Sequence, residues 1–319
     1  MANGNPTTLQ AFRQQVDATL QQRMAAHKAA VAARGLMAMP PATRPLILLA
    51  DGDSWFDYPL SNGALIPSDI IVQLQSGMAP APTILNLAHY GDATTELLGV
   101  AKRTRLLNAL QDPQNGTFDA ILFSGGGNDL VGDQFRLWLR AAAAAGNDPT
   151  AALNQGALSD ILGVVQTAYE DLIALRNDVA LGTPIFVHAY DFAQPTGNGV
   201  CLLGPWLYPS LQSRGWMQST SAADVAVGAG IVKLLLIQFH NLLRAFSLDP
   251  TNNVVLVETQ GVLDPATDWA NELHPKPPGF AAMAARFVTA LATRFPGRAN
   301  LAPPQQVAAV PPQHEAPNG

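Results

Sequence analysis

The 319-residue chain reads as an α/β protein, a three-layer α/β/α sandwich on a five-stranded parallel sheet, and three observations predict this. Five short, apolar, partly β-branched stretches recur at strand length: Leu46 to Ala50, Thr83 to Ala88, Ala120 to Ser124, Pro184 to Ala189 and Val254 to Glu258. Such continuous runs suit strands covered on both faces. Segments rich in helix formers separate them, and strand alternating with helix implies a parallel, doubly wound sheet. Apolar residues make up 48% of the chain and charged residues only 13%, about half the usual share, so material for a large core is ample.

Taken in order, Leu9 to Arg34 is rich in Ala, Gln, Leu, Met and Arg with no internal Gly or Pro, which predicts one helix. Pro40-Pro41 and Pro45 end it, so residues 1–43 form a helical extension and the main domain spans 44–298. Within that domain Ala93 to Gln111, Leu130 to Ala145, Leu158 to Arg176, Ala222 to Phe246 and Phe280 to Arg294 read as helices. The stretch of roughly 191–220 carries Cys201, Trp206, Tyr208 and Trp216 among Gly and Pro, and reads as a substrate-facing loop or small lid. Residues 299–319, dominated by Ala, Pro and Gln, hold too few large apolar groups to offset ordering entropy and read as a disordered tail.

Several function classes fall away on composition. The net charge of −6 argues against a generally basic nucleic-acid binder. Cys201 is the single cysteine, so no internal disulfide forms and no Cys/His zinc pattern exists. Met1 to Gln10 lacks the basic start and apolar run of a secretory signal, which gives a cytoplasmic expectation by default. Ile231 to Phe246, the greasiest stretch, is interrupted by Lys233, Gln238, His240, Asn241 and Arg244, so no transmembrane segment is expected. His89 and His188 have no spaced ligand partners and read as structural histidines; no metal or cofactor is expected.

Parallel sheets bind ligands beyond the carboxyl ends of their strands, so the residues after each run are those to inspect. After the first comes Asp51-Gly52-Asp53-Ser54-Trp55, after the second His89-Tyr90-Gly91-Asp92, after the third Gly125-Gly126-Gly127-Asn128-Asp129. The fifth is followed by Asp268-Trp269-Ala270-Asn271-Glu272-Leu273-His274-Pro275. A serine hydroxyl is a weak nucleophile, and imidazole is the side chain suited to take its proton near neutral pH. A tetrahedral intermediate also concentrates charge on one oxygen, which fixed N–H donors stabilise; Asn128 can donate where Asp could not. Taken singly, Ser54 is an ordinary turn or cap residue and His274 a loop histidine.

Gly52-Asp53-Ser54, a lone Gly91, Gly126-x-Asn128-Asp129 and His274-Pro275, in this order over roughly residues 44–296, resemble the SGNH hydrolase superfamily of GDSL-type esterases and lipases. The resemblance implies a flavodoxin-like strand order of 2-1-3-4-5 and metal-independent hydrolysis of a small-molecule or lipid ester. It makes Ser54 the nucleophile and His274 its base, with Ser54 N–H, Gly91 N–H and the Asn128 side chain as oxyanion hole. Asp53, Trp55, Tyr190 and Trp206 are the candidate substrate contacts, oligomeric state being left open. One position departs from the family pattern: Asn271 stands where an Asp precedes the histidine by three residues. Asn271, Asp268, Glu272 or a backbone carbonyl then remain as partners for the imidazole.

Two other readings compete. Asp51-x-Asp53 after an apolar strand resembles haloacid-dehalogenase-like phosphohydrolases, with Ser124 as their second motif and Mg2+ as cofactor, but Trp55 sits where a small or β-branched residue belongs, and Asn128 and His274 go unused. A non-catalytic carbohydrate- or lipid-binding module is suggested by Asn271, although a binder has no need of the intact Ser54, Gly91, Asn128 and His274. No Gly-x-Ser-x-Gly, Gly-Lys or His-Glu-x-x-His motif is present.

Overall fold

A computed structural model describes residues 8–35, 39–40, 42–58, 68–132, 134–200 and 204–302. Its centre is a five-stranded, wholly parallel sheet of β1 (Ile47–Gly52), β2 (Thr83–Asn86), β3 (Ala120–Ser124), β4 (Ile185–His188) and β5 (Val254–Val257). In space the order is 2-1-3-4-5, with Ile47 beside Thr83, Leu48 beside Ala120, Ile121 beside Ile185 and Ile185 beside Val254. All of β3 and β4 is buried, which is why these strands read as unbroken apolar runs.

Helices cover both faces. On one, α2 (Ile70–Gly77) packs against α10 (Pro277–Arg294); on the other lie α4 (Val100–Gln111), α7 (Gln155–Val179) and α9 (Ala222–Leu248). The N-terminal helix α1 (Thr8–Gly35) lies against β2, an outer strand of the sheet. Leu20 of α1 is buried there, and His27 bonds through Nε2 to the Asn115 carbonyl at 3.0 Å while stacking on Phe118. Arg23 donates to the Asp57 carboxylate and to the Ala88 carbonyl, joining α1 to two of the loops at the carboxyl edge.

The helical content differs from expectation in four places. The segment 93–111 is two helices, α3 (Thr94–Leu97) and α4, parted at Gly99, whose extended ψ of 152° starts the second. Residues 130–145 are not one helix: α5 (Gly127–Val131) stops at Gly132, where the Gln134 amide takes the carbonyls of Asn128 and Asp129, and α6 (Phe135–Trp138) follows. Of the alanines beyond, only Ala143–Ala145 form a single 3-10 turn, with Arg140 N–H on the Ala152 carbonyl and Ala142 N–H on that of Arg214, so tertiary bonds override alanine's helix propensity. The short α2 and α8 (Tyr208–Ser213) were not expected.

The start of the expected tail is ordered. Arg298 makes a bidentate ion pair with Asp119, Ala299 is fully buried, and Asn300–Leu301 pairs antiparallel with Met78–Ala79. One half-buried ion pair thus supplies what the composition lacks. The rest of that tail, residues 303–319, and Cys201 lie outside the described residues. By length and composition α9 could cross a membrane, with a mean hydropathy of 1.7 in its most apolar window. Ile231, Leu235, Phe239 and Leu243 form its buried face, and exposed Lys233, Asn241 and Arg244 interrupt the rest.

Gly52 ends β1 at a φ of +151°, where a Cβ would sit 2.4 Å from the Ser124 carbonyl oxygen on β3. Only glycine lets the two strand ends approach this closely. Gly52→Ala is expected to lower stability by about 3 kcal/mol, read as the midpoint of urea unfolding; a wild-type midpoint would mean that the strand ends separate freely.

Candidate active site

The parallel sheet brings all five strand ends to one edge, and the turn after β1 is the best defined of them. Asp53 N–H donates to the Ser124 carbonyl at 3.0 Å, and the Asp53 carbonyl accepts from Phe56 and Asp57, so Ser54 rides on a closed turn. The Asp53 side chain is buried beneath it. Its Oδ1 accepts from the Ser124 hydroxyl at 2.8 Å and Trp55 N–H at 3.0 Å, and its Oδ2 from the Tyr190 hydroxyl at 2.6 Å. Tyr190 in turn accepts Gly127 N–H at 3.0 Å, and His188 Nε2 lies 2.9 Å from Ser124 Oγ. Burial pushes the Asp53 pKa up to about 6 and that of His188 down to about 3.

Opposite this turn, the loop before α10 is closed by Lys276 N–H on the Asp268 carbonyl and Ala270 N–H on that of His274. It places His274 Nε2 2.7 Å from Ser54 Oγ. The other ring nitrogen, Nδ1, is 3.1 Å from Asn271 Oδ1. That oxygen also accepts the backbone N–H groups of Leu273 and His274 at 2.9 Å, while Asn271 Nδ2 donates to the Tyr58 hydroxyl at 3.0 Å. Three donors on one end and an acceptor on the other fix the amide's orientation. Nδ1 therefore carries the ring proton, and the Nε2 lone pair faces the serine hydroxyl. The Tyr58 ring lies over the imidazole, centroids 4.5 Å apart, and burial pushes the His274 pKa down to about 3.

Of the partners considered for His274, Asn271 is thus the one in contact. Asp268 turns elsewhere, accepting from Asp264 N–H at 2.8 Å and the Thr267 hydroxyl at 3.1 Å. Glu272 is wholly buried and also faces away from the ring. Its Oε1 accepts N–H from Gly197 and Tyr208, its Oε2 from Trp206 and Leu207, all within 3.0 Å. Its backbone adds two more bonds to the same segment, to Gln194 and Asn198. The aromatic loop is stapled to the histidine loop through this one residue.

Gly91 adopts a φ of +85°, a conformation side chains resist, although a Cβ there would meet nothing within 4 Å. Its need for glycine is conformational, not one of space. Among the described residues neither the Ser54 nor the Gly91 amide N–H has an acceptor. Asn128 Nδ2 gives one hydrogen to the Asp92 carbonyl at 2.8 Å, keeping the second for another acceptor. Asp129 caps α3, through Thr94 N–H at 2.8 Å and the Thr94 hydroxyl at 3.0 Å, rather than its own helix. The glycines at 125–127 make room for the rings of Phe123, Phe239 and Tyr190.

Ser54, Asn128 and His274 share a cleft whose volume is about 30 Å3, walled by Val131, Ala193, Leu236 and Leu273. Asp53, Trp55 and Tyr190 form its floor with their polar groups engaged by one another or, for Trp55, with the ring in the aromatic core beside His188, Tyr190, Trp269 and Phe280. Trp206 is half-buried, edge-on to His274 at 6.1 Å. Asp51 is buried away from the cleft, its Oδ1 on Gly52 N–H. Among the described residues no three His, Cys, Asp or Glu side chains group to hold a metal ion. Sequence reasoning missed Tyr58, which no motif marks, and the anchoring done by Glu272, whose only signal is a second carboxylate in the histidine loop.

No family model matches the sequence, and no curated protein matches it. In structure the chain is similar to GDSL-type lipases and esterases. A lipase from a goat rumen metagenome is 15% identical with a TM-score of 0.48, over 77% of this chain and 97% of the other. An acetyl-xylooligosaccharide esterase mutant from Geobacillus Stearmophilus is 14% identical with a TM-score of 0.42, over 76% and 93%. A family 3 carbohydrate esterase from Clostridium thermocellum is 13% identical with a TM-score of 0.41, over 79% and 98%.

Two predictions follow from the loop geometry. In an NMR titration the His274 ring stays neutral through pH 5, whereas Asn271→Asp, by setting a carboxylate against Nδ1, raises its pKa by more than about one unit; unchanged titration would mean that residue 271 does not sense the ring's charge. Glu272→Gln replaces two of four acceptor positions with an amide nitrogen that faces N–H donors. It should destabilise the protein by about 2–4 kcal/mol and speed hydrogen exchange at residues 206–208, and wild-type protection there would refute the staple.

Proposed function

We propose that the protein is a serine esterase that hydrolyses carboxylic esters through an acyl-enzyme on Ser54. The observation that carries this is the aligned pair of contacts at His274: Ser54 Oγ on Nε2 at 2.7 Å and Asn271 Oδ1 on Nδ1 at 3.1 Å, which leaves the imidazole in the tautomer a general base requires. In this reading His274 takes the Ser54 proton as Oγ attacks the ester carbonyl. The developing oxyanion is held by Ser54 N–H, Gly91 N–H and the second Asn128 Nδ2–H, which have no acceptor among the described residues. The proton on Nε2 then passes to the departing alcohol, and water, deprotonated by the same nitrogen, releases the acid.

Asn271 supplies orientation without charge, so the imidazolium formed in each step is stabilised less than a carboxylate would manage. Burial keeps the resting ring unprotonated, which maintains the base over a wide pH range. The phosphohydrolase alternative lacks support from the site, since Asp51 does not reach the cleft and Asp53 is engaged by three donors.

A fluorophosphonate probe should label the wild-type protein, with or without EDTA, and fail on Ser54→Ala. Absence of labelling in the wild type, together with no turnover of p-nitrophenyl esters, would favour the binding-module reading instead. Asn128→Ala should lower kcat by about 10²–10³ with KM nearly unchanged; a change in KM alone would remove Asn128 from the oxyanion hole.

A further inference from the structure

We infer that the acyl subsite beside Ser54 is built for an acetyl-sized group, with Leu236 and Val131 setting the limit. This rests on the esterase reading and narrows its substrate. The cleft at Ser54 and His274 offers about 30 Å3, small beside the roughly 150 Å3 of an engineered apolar cavity that takes up benzene. An acetyl group places one carbon beyond the carbonyl, a butyryl group three. The side chains enclosing the space are apolar and buried: Val131, Ala193, Leu236 and Leu273.

These walls are fixed by the fold. Leu236 projects from the middle of α9 and is 2% exposed, and Val131 belongs to α5, whose end the Gln134 amide caps. Leu273 lies between Glu272 and His274, both held on the histidine loop, and Ala193 adjoins Gln194, whose N–H bonds the Glu272 carbonyl at 3.2 Å. Packed walls of this kind do not yield continuously, so a chain longer than the space must displace whole side chains. The remaining polar groups on the wall are engaged. Asp191 accepts four backbone N–H groups, from Phe192, Gly261, Val262 and Leu263, and Asp53 and Tyr190 bond each other. Nothing there would reward a charged or hydroxylated acyl group.

The acyl part, and not the alcohol, occupies this space. When Ser54 Oγ bonds the carbonyl carbon, the acyl group stays attached to the buried nucleophile while the bond to the alcohol oxygen breaks. The alcohol leaves with the proton from His274 Nε2, and water then yields acetate and restores the Ser54 hydroxyl. Half-exposed Trp206, edge-on to His274, marks the open side for that departing group.

The test measures kcat/KM for p-nitrophenyl acetate, butyrate, hexanoate and octanoate, and for methyl, phenyl and naphthyl acetates, with fluorophosphonate labelling of Ser54 followed in parallel. The wild type should favour acetate over hexanoate by at least about tenfold, in line with what a few methylenes are worth against apolar walls, and vary less across the alcohols. Leu236→Ala should improve hexanoate relative to acetate by at least about tenfold, and Val131→Ala gives the same reading should the first variant fail to fold. Octanoate matching acetate, or a steep dependence on the alcohol alone, overturns the inference while intact labelling preserves the nucleophile. Loss of labelling and of all hydrolysis overturns both.

Discussion

The carboxylate of Asp53 is the constraint on which the site depends. It is almost wholly buried, yet it joins the ends of three strands: Trp55 N–H from the turn after β1, the Ser124 hydroxyl at the end of β3 and the Tyr190 hydroxyl just past β4. A buried charge is tolerated only when hydrogen bonds replace its water. Here three donors do so, and the upward displacement of its pKa to about 6 shows that they offset the desolvation incompletely. The same bonds fix the turn that carries Ser54. Through Tyr190 they also fix Gly127, and so the start of the helix that bears Asn128.

The second support comes from the other side of the cleft and is neutral. Asn271 does by geometry what a carboxylate would do by charge: three N–H groups converge on its oxygen, and the Tyr58 hydroxyl holds its nitrogen. A carboxylate beside a ring this deeply buried would raise its affinity for a proton. The amide directs the ring without adding charge, so in the proposed mechanism the imidazolium would be stabilised less than by a carboxylate.

The fold was legible because a sheet covered on both faces leaves its mark as consecutive apolar residues, and Leu48 to Ala50 or Ala120 to Phe123 need no knowledge of distant chain to be read. The order of glycine, serine, asparagine and histidine at the strand ends brought the candidate site into view for a similar reason: these residues lie in the loops that leave the carboxyl edge of the sheet. What escaped depends on partners far along the chain. The alanines at 141–145 keep only one 3-10 turn because bonds from Arg140 to Ala152 and from Ala142 to Arg214 hold the chain there, and the segment at 299–302 is ordered by an ion pair to Asp119 and a strand at 78–79. Spacing alone left Asn271 and Asp268 level, because only the loop's closure turns one toward the ring and the other outward. Asp53, Trp55 and Tyr190, the expected substrate contacts, line the cleft, and the bond between the Asp53 and Tyr190 side chains is one that no motif announces.

The six bonds of Glu272 to residues 194–208 bear on how such a cleft is reached. A cover hinged over a serine must swing aside, and enzymes of that kind wait on the motion or on a surface that holds the cover open. Here the aromatic segment shares its anchor with the histidine loop, so lifting one would dislodge the other. Ser54 and His274 already stand within 2.7 Å of each other, so the proposed reaction calls for no rearrangement of this loop.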